Sequence, residues 1–247
     1  MTVTVYILTL NAEKTIHNLL NYYNYDRYDV IVVDSSSTDR TVEVCEKYDC
    51  NLVSIDRNDF NHGSTREYAR KLTDSDIVVF FTQDVIPVSD ETIEKLILPI
   101  ENGEAHVSYA RQLHNENADI LESFAREYNY GTTGHIRSIE DINRYGIYTF
   151  FCSNSCAAWS NKALDEIGGF KSTLTNEDYF ACAGFLLNGY KIAYVPEAIV
   201  IHSHKYTLLN EFQRMFDTGY VRGERRWVQD TVGHAEKRGG EYFKALL

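Results

Sequence analysis

Proline is scarce in this chain, 3 residues in 247, and tryptophan and methionine are rarer still, at 2 each. So little proline excludes polyproline linkers and proline-rich low-complexity segments. No apolar run approaches the ~20 residues that a membrane-spanning helix needs, which leaves association with a membrane surface at most. The five cysteines, Cys45, Cys50, Cys152, Cys156 and Cys182, are an odd number in a chain without a signal peptide at its start, and a reduced, cytoplasmic setting follows. Cys152 with Cys156, and His202 with His204, lack the spacing of a zinc finger or ribbon. Basic charge is also short: 24 Lys+Arg face 36 Asp+Glu, a net charge of −12, so the summed field repels a phosphate backbone and no nucleic-acid partner is expected. An acidic protein can still hold a nucleoside diphosphate when Mg2+ or Mn2+ neutralises the pyrophosphate and carboxylates ligate the cation. Glycine-rich phosphate loops are absent as well. Without GxGxxG, GxxxxGK[ST] or GxSxG, the dehydrogenase, P-loop and α/β-hydrolase readings lose support. The glycine-free loop Leu10-Asn11-Ala12-Glu13 weighs against a nucleotidyltransferase.

What the chain does have is tyrosine, 18 residues, suited either to core edges or to a sugar-binding cleft, because a phenol offers a stacking face and a hydroxyl. It also has a regular order of elements. Thr2 to Thr9, Asp29 to Asp34, Asn51 to Ile55 and Asp76 to Thr82 read as strands rich in β-branched residues. Helical stretches at Glu13 to Tyr25, Arg40 to Tyr48 and Gly63 to Leu72 separate them. This alternation predicts an α/β fold with a doubly wound, mostly parallel sheet, helices on both faces, and a ligand crevice outside the carboxyl ends of the strands. Asp34 and Asp84 fall at or just past such ends and are expected to share that crevice. The second half is less regular. Strands are expected at His106 to Arg111, Ser155 to Trp159 and Lys191 to Val195, helices at Asn161 to Ile167 and Asp178 to Leu187, and a helix-or-loop region at Ala118 to Tyr148. Gly168-Gly169 and Gly189 close the two helices. Pro87, Pro99 and Pro196 are placed at element ends. Glu211 to Trp227 reads as a terminal amphipathic helix.

Several side chains stand where chemistry is done. Asp84, in Thr82-Gln83-Asp84, is either a turn residue or an oxygen ligand for a hard cation. Asp34 can accept from the imide N–H of a uracil or thymine ring, or cap a helix; Asp39 reads as the cap. In Phe60-Asn61-His62-Gly63-Ser64-Thr65-Arg66, Gly63 allows close backbone approach, and Arg66 reaches either a surface carboxylate or a phosphate or base. Glu177 and Asp178 sit at a helix start, where the dipole favours their ionised form, and can serve as cap or as general base. Alternating histidines on a strand face opposite ways, so at most one of His202 and His204 reaches a metal. His202 is the candidate, directly after the apolar run.

In this order the pieces resemble the family 2 glycosyltransferases of the GT-A fold. ILTLNAEKTI is similar to the family's first strand and nucleotide loop, VVDSSSTDRT to its second-strand aspartate segment, TQD to its DxD metal motif and TNEDY to its ED motif. DFNHGSTREYA and FQRMFDTGYVRGERRW resemble segments of bacterial rhamnosyltransferases. The resemblance implies an inverting, metal-dependent hexosyltransferase using Mg2+ or Mn2+. The implied donor is dTDP-β-L-rhamnose, and the acceptor a hydroxyl of a cell-surface polysaccharide or lipid-linked glycan. Thr9, Asn11, Asp34, Arg66 and Gln83 would face the donor, Asp84 and His202 the metal, and Asp178 the acceptor hydroxyl, supported by Glu177. Gln83 stands where many DxD motifs have an acid, and Ser64-Thr65-Arg66-Glu67 lacks the second Gly and the Asn of HGGTRN. The rivals on the same scaffold are a transferase using another UDP-, GDP- or dTDP-sugar and a catalytically silent nucleotide-sugar-binding protein, the second of which the retained Asp84 and Asp178 oppose. A catalytic domain over 1–205 is expected, with a nucleotide half about 1–100 and an acceptor half about 101–205, followed by a helical extension over 206–247 that could lie on the inner face of a membrane.

Overall fold

The computed structural model describes residues 1–23, 26–203, 207–232, 240–242 and 244–245. In chain order the first half runs β1 (Val3–Thr9), α1 (Ile16–Leu20), β2 (Asp29–Asp34), α2 (Thr41–Cys45), β3 (Asn51–Ser54), α3 (His62–Arg70), β4 (Ile77–Thr82), β5 (Val85–Pro87) and α4 (Thr92–Glu101). The second half runs β6 (Val107–Leu113), α5 (Ile120–Asn129), β7 (His135–Arg137), α6 (Ile142–Tyr145), β8 (Cys156–Ser160), α7 (Asn161–Glu166), α8 (Glu177–Leu187), β9 (Ile192–His202), α9 (Leu208–Glu224) and α10 (Trp227–Val232). His204, and Tyr25 at the end of the first predicted helix, lie outside the described residues.

The strands form one sheet in the order β3-β2-β1-β4-β8-β6-β9-β5, with β7 on β9. β3, β2, β1 and β4 are parallel, as the alternation of strand and helix predicts. The rest is mixed: β8 lies antiparallel between β4 and β6, β9 is parallel to β6, and β5 and β7 run antiparallel to β9. β5 follows β4 within three residues, too few for the crossover a parallel neighbour requires, and it pairs instead with the far end of β9.

Helices cover both faces. Val5, Ile7, Val30, Val32, Val79 and Phe81 point to the side of α1, α2 and α4; Tyr6, Leu8, Ile31, Val33, Val78 and Phe80 point to the side of α3, α7 and α8. That alternation inside nearly continuous apolar runs is what a strand buried on both faces requires. Two prolines sit inside elements rather than at their ends. Pro99 lies within α4, and Pro196 within β9, where the ladder slips so that Ala110 faces Val195 but Arg111 faces Ile199. The bulge accommodates a residue that has no N–H to give the ladder.

α9 packs its inner side on α8: Val221 and, in α10, Val228 are buried, Arg222 lies 4.9 Å from the Tyr179 ring and Arg225, just past the end of α9, 4.6 Å from that of Phe180. Its outer side carries Leu209, Phe212, Met215, Phe216 and Tyr220, all exposed. Among the described residues no helix is long and apolar enough to cross a membrane.

Candidate active site

A cavity of about 450 Å³ opens at the carboxyl end of the parallel strands, lined by Leu8, Thr9 and Leu10 after β1, Ser35 after β2, and Thr82, Gln83 and Asp84 after β4. Arg57, Phe60, His62 and Arg66, between β3 and the middle of α3, close one side; Ser155 and His202 complete the lining. The β5–β9 pairing places Val85 opposite His202, so Asp84, one residue earlier, arrives beside that ring with its Oδ1 3.6 Å from His202 Nε2. His202 is the last residue of β9 and is buried, which pushes its imidazole below the usual histidine value against the opposing pull of Asp84. Its Nδ1 is 2.8 Å from Gln112 Oε1.

Gln83 joins the floor to the first loop. Its Oε1 accepts from Leu10 N at 2.6 Å and Thr9 Oγ1 at 3.0 Å, and its Nε2 donates to Leu10 O at 3.0 Å. An ionised carboxylate could only accept, so the amide in place of an acid holds both the N–H and the C=O of Leu10. Asn11 adopts a left-handed backbone, φ 51°, accepts from Thr38 N and donates its own N–H to Ser37 Oγ. Asp34 is 1% exposed, and its two oxygens accept from Ser37 N at 2.9 Å and Ser37 Oγ at 2.5 Å. The cavity is therefore lined by Ser35, with Asp34 behind it, and Asn11 outside it. Asp39 accepts from Thr41 N at the start of α2, the capping the sequence suggests.

The second carboxylate cluster borders the cavity without lining it. Arg66, 3% exposed, places Nη1 3.1 Å from Glu177 Oε1 and donates to His62 O at 2.9 Å. Asn154 N donates to Asp178 Oδ2 at 3.1 Å, Asn154 Nδ2 to Glu177 Oε1 at 3.0 Å, and Trp159 Nε1 to Asn154 Oδ1 at 2.8 Å. Asp178 thus stands one residue behind Ser155 of the lining, next to the carboxylate that Arg66 holds. Burial, and then the Glu177 charge, push the Asp178 carboxyl up to about 7. Burial opposes ionisation of Glu177 too, but Arg66, His62 and Asn154 outweigh it and hold that carboxyl below the usual range. Two adjacent acids with values driven apart are the pattern of an acid–base site.

Close approach at Gly63 is to protein: a Cβ there would fall on the Lys171 carbonyl. With Asn61 Oδ1 accepting from Gly63 N, Ser64 N and Thr173 N, this contact clamps α3 to the loop that leads into Glu177. Arg57 and Ser155 carry no sequence signal as lining residues, and Asn154 and Gln112 none as connectors. Only pairing and loop closure bring them to the site.

The model of Glycosyl transferase family 2 matches residues 4–168. The chain belongs to this family. Membership of this family makes sugar transfer the chemistry of the chain, on a GT-A-like α/β fold. The chain is 42% identical over 217 residues to "O-antigen chain rhamnosyltransferase WbaN" of Salmonella anatum, covering 87% of this chain and 68% of that one. It is 38% identical over 250 residues to "O-antigen chain rhamnosyltransferase RfbN" of Salmonella typhimurium, covering 99% and 79%. Among solved structures it superposes with TM-score 0.64 on residues 1–349 of Staphylococcus aureus TarS in complex with UDP-GlcNAc, at 20% identity over 84% of this chain and 60% of that one. With the mannosyltransferase PcManGT of Pyrobaculum calidifontis, in complex with GDP-Man and Mn2+, the TM-score is 0.63 at 16% identity, over 97% and 75%.

Proposed function

We propose that this family 2 enzyme is an inverting rhamnosyltransferase that uses dTDP-β-L-rhamnose and elongates a cell-surface polysaccharide on a lipid-linked precursor. The sugar is the one named for both curated relatives. The observation that carries the mechanism is the split carboxylate pair: Asp178, pushed up to about 7, beside Glu177 neutralised by Arg66, at the border of a cavity that holds Asp84 and His202. Near neutral pH a carboxylate of that basicity can take the proton of an acceptor hydroxyl as the oxygen attacks C1 of the sugar. The C1–O bond to the diphosphate breaks on the opposite face, its electron pair leaves with dTDP, and a β-linked donor yields an α-linked product.

Asp84 Oδ1 and His202 Nε2 fit a divalent cation. The hard oxygen and the imidazole nitrogen, 3.6 Å apart, are placed as neighbouring ligands and suit Mn2+ somewhat better than Mg2+. No group of three or more His, Cys, Asp or Glu converges on a metal site among the described residues, so diphosphate oxygens and water would fill the remaining positions. A bound Mg2+ or Mn2+ would offset the charge that develops on the leaving diphosphate. Thr9 lines the donor pocket, Gln83 acts on it through Leu10, and Asn11 and Asp34 set the loop beside the nucleobase. Arg66, whose Nε is buried without a hydrogen-bond partner, anchors Glu177 and faces the donor.

Residues about 1–205 form the catalytic unit in this reading, with the extension over 206–247 buttressing α8. The exposed apolar side of α9 is the surface that would rest on the cytoplasmic face of a membrane carrying the acceptor. The test is the stereochemistry of transfer. Incubation with dTDP-β-L-rhamnose and a lipid-linked acceptor should give an α-L-rhamnosyl product by NMR; a β-linked product, or turnover only with another nucleotide sugar, would sink the reading.

A further inference from the structure

We propose that Gln112 is a positioning residue that fixes the tautomer of His202, presenting Nε2 to the cation site beside Asp84; this rests on the metal reading above. Gln112 belongs to β6 and is 1% exposed, two strands away in the sheet from both β4 and β5, the strands that flank Asp84. Its Oε1 faces two groups, His202 Nδ1 at 2.8 Å and Arg126 Nη1 of α5 at 2.6 Å. Its Nε2 donates to Ser153 Oγ at 2.9 Å.

The two ends of an amide have almost the same shape, so the partners decide which end is which. A guanidinium only donates, hence the end facing Arg126 must be oxygen. That oxygen cannot donate, hence the proton between it and His202 must sit on Nδ1. A neutral ring protonated at Nδ1 has its lone pair at Nε2, the nitrogen 3.6 Å from Asp84 Oδ1. A turned amide would set an N–H against Nδ1, drive the proton to Nε2 and remove the ligand. Arg126 prevents that turn, which couples α5 and β6 to the far end of β9. Partners of this kind, behind a ligating histidine, commonly set metal affinity.

The test uses the full chain labelled with 15N-histidine, with His202→Ala identifying the signal. The expected wild-type state is protonated at Nδ1; an Nε2–H tautomer overturns the proposal whether or not any variant folds. Binding of Mn2+ with dTDP, followed by electron paramagnetic resonance, should weaken about 10- to 100-fold in Gln112→Met but stay within about threefold in Gln112→Glu, which keeps an oxygen acceptor. Gln112→Met binding Mn2+ like the wild type also overturns it. Asp84→Asn and His202→Ala separate the two levels. If both bind Mn2+ as the wild type does, the metal reading fails and takes this proposal with it. If both lose Mn2+ while Gln112→Met keeps it, the positioning role alone is refuted.

Discussion

Asp178 and Glu177 are neighbours in sequence and opposites in chemistry, and the difference lies in what each one touches. Glu177 has Arg66 and the Asn154 amide; Asp178 has two backbone N–H groups, of Asn154 and Tyr179, and a like charge beside it. Activity should therefore rise with pH along an acidic limb centred near 7, as Asp178 loses its proton. In Glu177→Gln the repulsion disappears and Arg66 is left uncompensated, both of which favour the Asp178 carboxylate, so a pH–rate profile should show that limb at lower pH. The same variant should lose roughly 3–5 kcal/mol of stability in denaturant melts, the usual result of stranding one partner of a buried ion pair. Stability carries its own signature at Asp178. Between about 3.9, the ordinary aspartate value, and about 7 the folded state holds a proton that the unfolded chain releases, so this group's contribution falls as pH rises through that window. Asp178→Asn should accordingly melt higher than wild type at pH 8, and equal or lower melting there would contradict the assignment.

At the scale of elements, the first half of the chain was legible because strand and helix alternate, and parallel strands buried on both faces leave a dense β-branched signal. The pattern of β-branched residues marks Asp29–Asp34 to the residue, and β1, β3 and β4 to within one at each end. The elements after β4 resisted for a physical reason. β5 and β7 are three residues each and pair with distant partners on β9, and proline blurs the signal, with Pro99 inside α4 and Pro87 ending β5. Chemistry-bearing types such as Asp84, Asp178 and Arg66 could be named from sequence. The connectors could not, because Gln112 and Asn154 differ from any buried amide only in whom they meet. Gly63 was legible as a close approach, but its partner was not. Gly63→Ala would push α3 from the Lys171 carbonyl, and an overpacking loss of about 1–3 kcal/mol in thermal or denaturant unfolding is expected. On α9, replacing Phe212 and Phe216 by serine should reduce co-sedimentation with anionic vesicles while leaving donor binding intact; undiminished binding would remove the membrane contact from the account.

For the whole molecule, a net charge of −12 opposes the diphosphate of a nucleotide sugar, and in the proposed reading Asp84 and His202, beside the ends of β4 and β9, would hold the cation that offsets it. Calorimetry of dTDP-β-L-rhamnose should show affinity falling when EDTA replaces Mn2+, and falling similarly in Asp84→Asn with Mn2+ present. The sheet delivers the pieces: the parallel strands end at the cavity, while the antiparallel insertions of β8 and β5 carry Ser155 and Asp84 to the same rim. The central claim is that Asp178 takes the acceptor's proton within a cleft that binds the donor independently of it. Turnover of dTDP-β-L-rhamnose by Asp178→Asn, measured at donor concentrations saturating for both proteins, tests it most directly. The account predicts a fall of about 10²- to 10⁴-fold with donor affinity unchanged; turnover equal to that of the wild type would contradict it.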